Sequence, residues 1–388
     1  MRTQFLPFAT PCIGEEEINE VTETLRSGWL TAGHRVERFE RDFQDFIGCK
    51  HALAVSSGTA ALHLSLQVLQ IGAGDEVITT PYTFASTANV IELQGATPVF
   101  ADIDESTLNI KPKNIEAKIT SHTKAIIPVH LAGYPCQLDQ LGMIAKTYRI
   151  PIIEDATHAL GAVYQDTMIG ADSDFAAFSF YPIKNMTAAE GGMLVTNNAE
   201  WAREVKILRW YGLSEALWER ESQQDFNRMP LVLRPGFKYN MSDVQAAIGV
   251  HQLKKLQRFN ARREHYFQMY LEELSDLREI QLPVTANDCS KSAYHLFIIR
   301  LHLERLRIDQ AQFRKALSDY QIGSSFHYPS LHLHPYYKKK FHFKPTDFPV
   351  ANKVSQEAVS LPLYPKLCEQ DVEDVIYAVR QIIKKYTR

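Results

Sequence analysis

Residues Phe175–Gly192 read FAAFSFYPIKNMTAAEGG, and the lysine inside this stretch governs how the rest of the chain is read. An apolar run ends in Ser179, and Lys184 follows five residues later in a turn flanked by Pro182 and Asn185. Glu190-Gly191-Gly192 then leads into a second strand-like run, Met193-Leu194-Val195. Lys184 belongs to neither a solvated helix face nor a charge run. Between two buried segments, desolvation lowers an ammonium's pKa and frees its amine as a nucleophile. Amines of this kind form Schiff bases with carbonyl compounds, pyridoxal phosphate (PLP) among them. A loop lysine that merely solvates a turn fits the same residues.

Upstream lies Ile150–Gly161, IPIIEDATHALG. Pro151–Ile153 reads as a short buried strand with Glu154-Asp155 at its carboxyl end. Open α/β sheets bind ligands beyond that end of their strands. A carboxylate placed there holds a pyridinium nitrogen protonated, which lets PLP act as an electron sink. Asp155 also fits the N-cap of a helix over Ala156–Gly161. Ahead of a buried lysine, it reads as half of a cofactor site.

The chain's 388 residues exceed one small core and fit two domains sharing a site, a large one over 1–254 and a smaller one over 255–388. A net charge of −3 leaves no basic footprint for nucleic acid. No apolar run approaches the roughly 18 residues of a membrane span, and MRTQFLPFATPC lacks the apolar segment of a signal peptide. The five cysteines form no CxxC pair or Cys/His cluster that would suggest a metal, and read as free thiols of a reducing cytoplasm.

Glu15–Arg26, with Ile18, Val21 and Leu25 on one face, and Val36–Ile47 have helical periodicity. The turn-rich loop SGWLTAG (Ser27–Gly33) separates them. HALAVS (His51–Ser56) is a buried strand, and SGTA (Ser57–Ala60) opens a helix at once. Strand, small-residue turn and helix N-terminus make an anion site, although Ser and Thr are also ordinary N-caps. DEVITT (Asp75–Thr80), Thr97–Ala101 and AIIPVH (Ala125–His130) are further strands, with helices over Thr87–Gln94 and Leu138–Tyr148. This alternation predicts an α/β fold with a mostly parallel sheet covered by helices. No GxGxxG follows the first strand and no GxxxxGK[ST] occurs, which disfavours dinucleotide and nucleoside-triphosphate sites. Ser214–Arg234 reads as a surface flap, Ser242–Leu256 as a helix capped by Ser242, and Leu253–Leu274 as a long helix with a solvated face. The smaller domain is expected to be α+β, with strands Ala293–Leu301 and Gly323–His327 and helices Asp309–Tyr320 and Asp371–Lys384.

Together these segments resemble the sugar aminotransferase family of the DegT/StrS type, within the fold-type-I PLP enzymes. The likeness runs over essentially the whole chain: SGWLTAG, SSGTAAL, GDEVITTPYTF, TKAIIPVHLAG, IIEDATHALGA, FSFYPIKN with AEGG, PGFKYNMSDVQAAIG, HLFIIR and LPLYP occur in order. LPF, PGFKYN and HLFIIR are most similar to the UDP-4-amino-4-deoxy-L-arabinose–oxoglutarate aminotransferases of that family.

The resemblance implies a role for each matching residue. Lys184 would hold PLP and shuttle the proton, Asp155 would pair with the pyridine nitrogen, and His158 would sit near the phenolate oxygen. Phe84 would stack on the ring, unless it is only core. Gly58, Thr59 and Ser179 would bind the phosphate, and Asn240 would reach the phosphate of a neighbouring subunit's cofactor. Thr31, His327 and Tyr328 would line the substrate side. Thr157 departs from the small apolar residue frequent in the family, with no change of role expected. The family's sugar dehydratases carry histidine where this chain has Lys184, so the lysine favours transamination. The implied reaction moves an amino group between L-glutamate/2-oxoglutarate and a nucleotide-linked keto-sugar, for cell-surface polysaccharide or lipopolysaccharide. A cytoplasmic homodimer with shared active sites is implied. Two other readings stand beside it: a PLP lyase or aldolase acting on amino acids, and a non-catalytic binder of PLP or a sugar nucleotide.

Overall fold

Seven short strands form the sheet that positions everything else: β1 (His51–Val55), β2 (Glu76–Thr79), β3 (Thr97–Phe100), β4 (Thr123–Ile127), β5 (Ile153–Asp155), β6 (Phe175–Ser179) and β7 (Gly192–Thr196). The structure, a computed structural model, describes residues 2–214, 230–285 and 289–388. Residues 215–229 of the expected Ser214–Arg234 flap lie outside the described residues.

Hydrogen bonding gives the orders β1-β7-β6-β5 and β3-β2-β4. Single parallel bridges, Ile126 to Ile152 and Val129 to Asp155, join β4 to β5. β7 runs antiparallel to both neighbours, whereas β2 is parallel to β3 and β4, and β5 is parallel to β6. The mostly parallel α/β sheet expected from the sequence is therefore present. Since β1 and β6 both oppose β7, they point the same way, and their carboxyl ends share an edge with that of β5.

Side-chain alternation covers both faces. Leu53, Val55, Phe175, Ala177 and Leu194 join one apolar layer with α3 (Gly58–Val68), while Ala54, Phe178, Met193 and Val195 join another with α2 (His34–Ile47). Burial on both sides is why these strands read as continuous apolar runs. α4 (Ala85–Leu93) follows β2, and α5 (Leu138–Tyr148) precedes β5.

The helices expected over Ser242–Leu256 and Leu253–Leu274 are one helix, α6 (Asp243–Leu274), about 48 Å long at 1.5 Å per residue. Ser242 caps it, accepting from Gln245 N–H at 3.3 Å. Its first half packs beside α2 and α1 (Glu15–Ser27), while Tyr266, Phe267, Tyr270 and Leu274 enter the core of the C-terminal part. The expected boundary at residue 254 falls inside this helix. Beyond it lies an antiparallel sheet, β8 (Ile280–Gln281), β9 (Phe297–Leu301) and β10 (Ala358–Leu361), with helices α7 (Gln310–Asp319) and α8 (Glu369–Tyr386).

Four local expectations are corrected. No helix spans Ala156–Gly161: the Asp155 carboxylate accepts from Thr157 N–H (3.3 Å) and Thr157 Oγ1 (2.7 Å), turning the chain instead. β9 starts at Phe297 rather than Ala293, because Tyr294 has φ 50° and the Ala293 and His295 amides bond to Gly133 and Ala132. Gly323–His327 is not a strand; it makes one bridge, Ser325 to Ser360, while Gly323 N–H bonds to Leu6. The apolar face expected on α1 points outward, with Ile18 49% and Leu25 56% exposed, and α1 instead buries Glu17 against Lys255 and Gln252.

Candidate active site

The shared edge of β1, β5 and β6 gathers most of the residues singled out in the sequence. β1 runs into Ser57, which caps α3 by accepting from Ala60 N–H at 3.0 Å. Gly58, at the first turn of α3, is so enclosed that a Cβ there would lie 2.9 Å from Thr157 Cγ2 and 3.0 Å from Ser179 Cβ. The turns after β1, β5 and β6 therefore touch. A Cβ on Gly192 would come within 2.4 Å of the Ser57 carbonyl carbon, so the Glu190-Gly191-Gly192 segment passes directly beneath this turn. Thr59 is exposed and Ser179 half-buried beside it. Free amides and the positive end of an eleven-residue helix, with two hydroxyls, make an environment that would suit an anion.

Asp155 is 3% exposed. Oδ1 accepts from Thr157, and Oδ2 accepts from Thr87 Oγ1 at 2.8 Å. Thr83 Oγ1 stands 3.0 Å from Thr87 Oγ1. These hydrogen-bond partners are hydroxyls and an amide, and the cation whose charge meets the carboxylate is Lys184. Next to Asp155, Glu154 faces away and is held by His130 Nε2 at 2.8 Å and by Ser173. His130 Nδ1 accepts the Cys136 amide at 2.9 Å, so its proton lies on Nε2.

Lys184 sits in the β6–β7 connection, partly exposed, with its amine pushed down to about 8 by burial; the charge of Asp155 opposes the shift. Three histidines face it. The rings of His158 and His295 are tilted by 39° with centroids 4.4 Å apart. Burial first, then the charge of Lys184, holds both well below the usual imidazole range. His327 is lowered to about 3 by the same causes in the same order, and its Nδ1 lies 2.8 Å from Ser360 Oγ. All three are neutral at pH 7. Tyr328 Oη lies 3.1 Å from His158 Nε2, which ties the C-terminal part to the sheet edge. His158 Nδ1 and His295 Nδ1 are buried without partners, the arrangement expected where a bound polar group belongs.

Phe84 is 60% exposed at the start of α4, its ring centroid 6.1 Å from Tyr328. It is therefore a free aromatic face and not core. Thr31 is not joined to the histidine cluster; its carbonyl accepts from Asp243 N–H at 3.2 Å, and Asp243 in turn holds the amides of Gly33 and Val36. Asn240 bridges Val55 of its own chain and donates to Met241 O at 3.2 Å, with the Lys238 ammonium on its Oδ1.

Sequence reasoning missed Thr87, Thr157 and His295. Thr83, inside PYTF, and Thr87, four residues on in the helix that follows, are a signal that was available. The Thr157 methyl group lies against Gly58 while its hydroxyl orients Asp155, so this departure from the family pattern does have a role. His295 opens HLFIIR, where nothing local distinguishes it from a core residue. A phosphate-bearing pyridine fits this donor set: helix N-terminus with hydroxyls, buried carboxylate, depressed amine and open aromatic face.

Residues 11–380 match the DegT/DnrJ/EryC1/StrS aminotransferase family. The chain is 48% identical to the uncharacterized protein MJ1066 of Methanocaldococcus jannaschii over 385 residues, 99% of each chain. It is 46% identical to the spore coat polysaccharide biosynthesis protein SpsC of Bacillus subtilis over 384 residues, 99% of this chain and 98% of that one. Among solved structures, Spr1654 of Streptococcus pneumoniae in its PLP form superposes with a TM-score of 0.91 at 32% identity, covering 98% of this chain and 99% of the other. Its PMP form gives 0.92.

Proposed function

We propose that this chain, which belongs to the DegT/DnrJ/EryC1/StrS aminotransferase family, transfers an amino group from L-glutamate to the keto carbon of a nucleotide-linked sugar. Membership makes it a sugar aminotransferase with pyridoxal 5′-phosphate as cofactor. The observation that carries the amino-transfer chemistry is Lys184, an amine lowered to about 8 by burial, with the buried Asp155 acting on its charge. SpsC, named for spore coat polysaccharide biosynthesis, supports a sugar destined for a surface polymer.

When bound, the cofactor supplies an exchangeable aldehyde and a ring that takes up negative charge. Lys184 Nζ would hold it and carry the proton that moves during exchange, since its lowered pKa leaves part of the amine unprotonated near neutrality. Asp155 would keep the ring nitrogen protonated, with Thr87 and Thr157 fixing its two oxygens. Gly58, Thr59 and Ser179 would bind the phosphate, and Phe84 would cover one ring face. His158, neutral and held at Nε2 by Tyr328, would present Nδ1 to the phenolate oxygen. Thr31, His327 and Tyr328 would meet the sugar nucleotide.

Two copies would share their sites, each placing Asn240 against the other's phosphate. Ile13, Ile18, Leu25, Leu30 and Leu231–Leu233 are exposed, which supports an apolar face for a second copy. Among the described residues no helix is long and apolar enough to cross a membrane. No disulfide joins cysteines among the described residues, which fits a cytoplasmic site of action.

The test is a split reaction. L-Glutamate alone should convert the cofactor's visible absorption to that of its amine form without breaking down. A panel of nucleotide-linked 3-keto and 4-keto sugars should then restore it. Breakdown of the amino acid, or restoration by simple keto acids and by no keto-sugar nucleotide, would overturn the reading.

A further inference from the structure

Arg263, on α6, heads the fully buried side chains at 2% exposed. Its Nη1 donates to Asn185 O and its Nη2 to Lys184 O, each at 3.3 Å. Its Nε has no partner, and no carboxylate of the described residues pairs with it. Burial lowers the guanidinium to about 9, still far above neutrality, so the group is a buried cation with no carboxylate partner among the described residues. Such a group weakens a fold compared with an apolar side chain of the same size. Its presence calls for another use.

The neighbouring bonds indicate that use. Asn185 Nδ2 donates to Asn260 Oδ1 at 2.8 Å and to Ala293 O at 2.7 Å. Asn260 Nδ2 donates to Leu160 O at 3.0 Å. One stretch of α6 therefore grips the Lys184 turn directly, grips the segment after His158, and reaches through Asn185 to the segment before His295. The charge of Arg263 also acts on His295.

We propose that Arg263 is a positioning residue for Lys184: its fork holds the consecutive carbonyls of Lys184 and Asn185 and so sets where the lysine amine stands at the sheet edge. A guanidinium suits this because it is planar and presents two parallel donors, whereas an ammonium is a point charge. The inference rests on the reading of Lys184 as the residue that holds the cofactor.

The experiment uses the PLP-loaded protein and Arg263→Met and Arg263→Lys variants. Borohydride labelling of the unsubstituted protein comes first; a label on another lysine overturns the Lys184 reading and leaves the clamp without its object. With Lys184 labelled, Arg263→Met decides the clamp. Its melting temperature should equal or exceed that of the parent, because an unpaired buried charge has been removed. Its maximal rate in the L-glutamate half-reaction should fall at least about tenfold, with half-saturation within about threefold. The pH midpoint of the cofactor's visible absorption should move by about half a unit or more. Parental rate and midpoint in Arg263→Met would overturn the proposal. Should that variant fail to fold, Arg263→Lys decides: a several-fold slower rate with a moved midpoint supports the clamp, and parental values overturn it.

Discussion

Thr87 Oγ1 donates to Asp155 Oδ2 at 2.8 Å, joining the helix after β2 to the carboxylate at the end of β5. Thr157 holds the other oxygen at 2.7 Å. Asp155 is thus fixed at both oxygens by hydroxyls. Thr87→Val removes one of these bonds with little change of shape. A hydrogen bond to a charged group contributes about 1.5–3 kcal/mol, so turnover should fall by roughly tenfold or more with the cofactor retained. Asp155→Asn should cost further orders of magnitude. Steady-state rates with cofactor content measured alongside check this. Thr87→Val kinetics equal to the parent would mean that the carboxylate needs no support from α4.

The Lys184 amine, lowered from 10.5 to about 8 by burial, gives the cofactor-free protein a pH signature. Only the unprotonated amine attacks a carbonyl. The rate of PLP uptake should therefore rise roughly tenfold per pH unit below about 8 and level off above it. The same shift acts on stability. Between about 8 and 10.5 the unfolded chain binds more protons at this residue than the folded one, so its contribution grows more favourable as pH rises through that window. Stopped-flow uptake across pH 6–10 is the measurement, and a rate still climbing through pH 10 would contradict an environment that depresses the amine.

Gly192 and Gly142 should respond in opposite ways to alanine. A Cβ on Gly192 would lie 2.4 Å from the Ser57 carbonyl carbon and 2.6 Å from Gly58 N, so Gly192→Ala must displace the turn that opens α3, the proposed phosphate site. A Cβ on Gly142, inside α5, meets nothing within 4 Å. Gly142→Ala should stabilise by about 0.5–1 kcal/mol. Thermal melts and PLP titration should show a higher melting point with unchanged affinity for Gly142→Ala, and weakened PLP binding or lost fold for Gly192→Ala.

Asn240 tests the shared site. Lys184→Ala and Asn240→Ala proteins should each be impaired. If Asn240 serves the other copy, randomly re-associated mixtures should recover about a quarter of parental activity, because half the dimers have one intact site of two. If Asn240 serves its own chain, where its main chain bridges Val55, mixing restores nothing.

The sheet was legible because its strands are buried on both faces and punctuated by Gly, Pro and small-residue turns, as with HALAVS before SGTA. Lys184 and Asp155 were legible because charged residues at the ends of apolar runs are conspicuous. The turn at Ala156–Gly161 was not, because Thr157 offers its hydroxyl to the preceding aspartate, a choice that local propensity does not separate from a helix start. The direction of the apolar face of α1 was not legible for a different reason. Periodicity reports that a face is apolar, not what covers it, and here Glu17 goes inward to meet Lys255 and Gln252. His295 and Arg263 were invisible because they gain meaning only through contacts made across the fold, with His158 and with the Lys184 carbonyl.

Borohydride reduction of the PLP-loaded protein, followed by peptide mapping, tests the central claim most directly. The account predicts one modified peptide, carrying the label on Lys184, and a Lys184→Ala protein that folds, takes no covalent label and turns nothing over. A label on any other lysine, or undiminished turnover by Lys184→Ala, would contradict it.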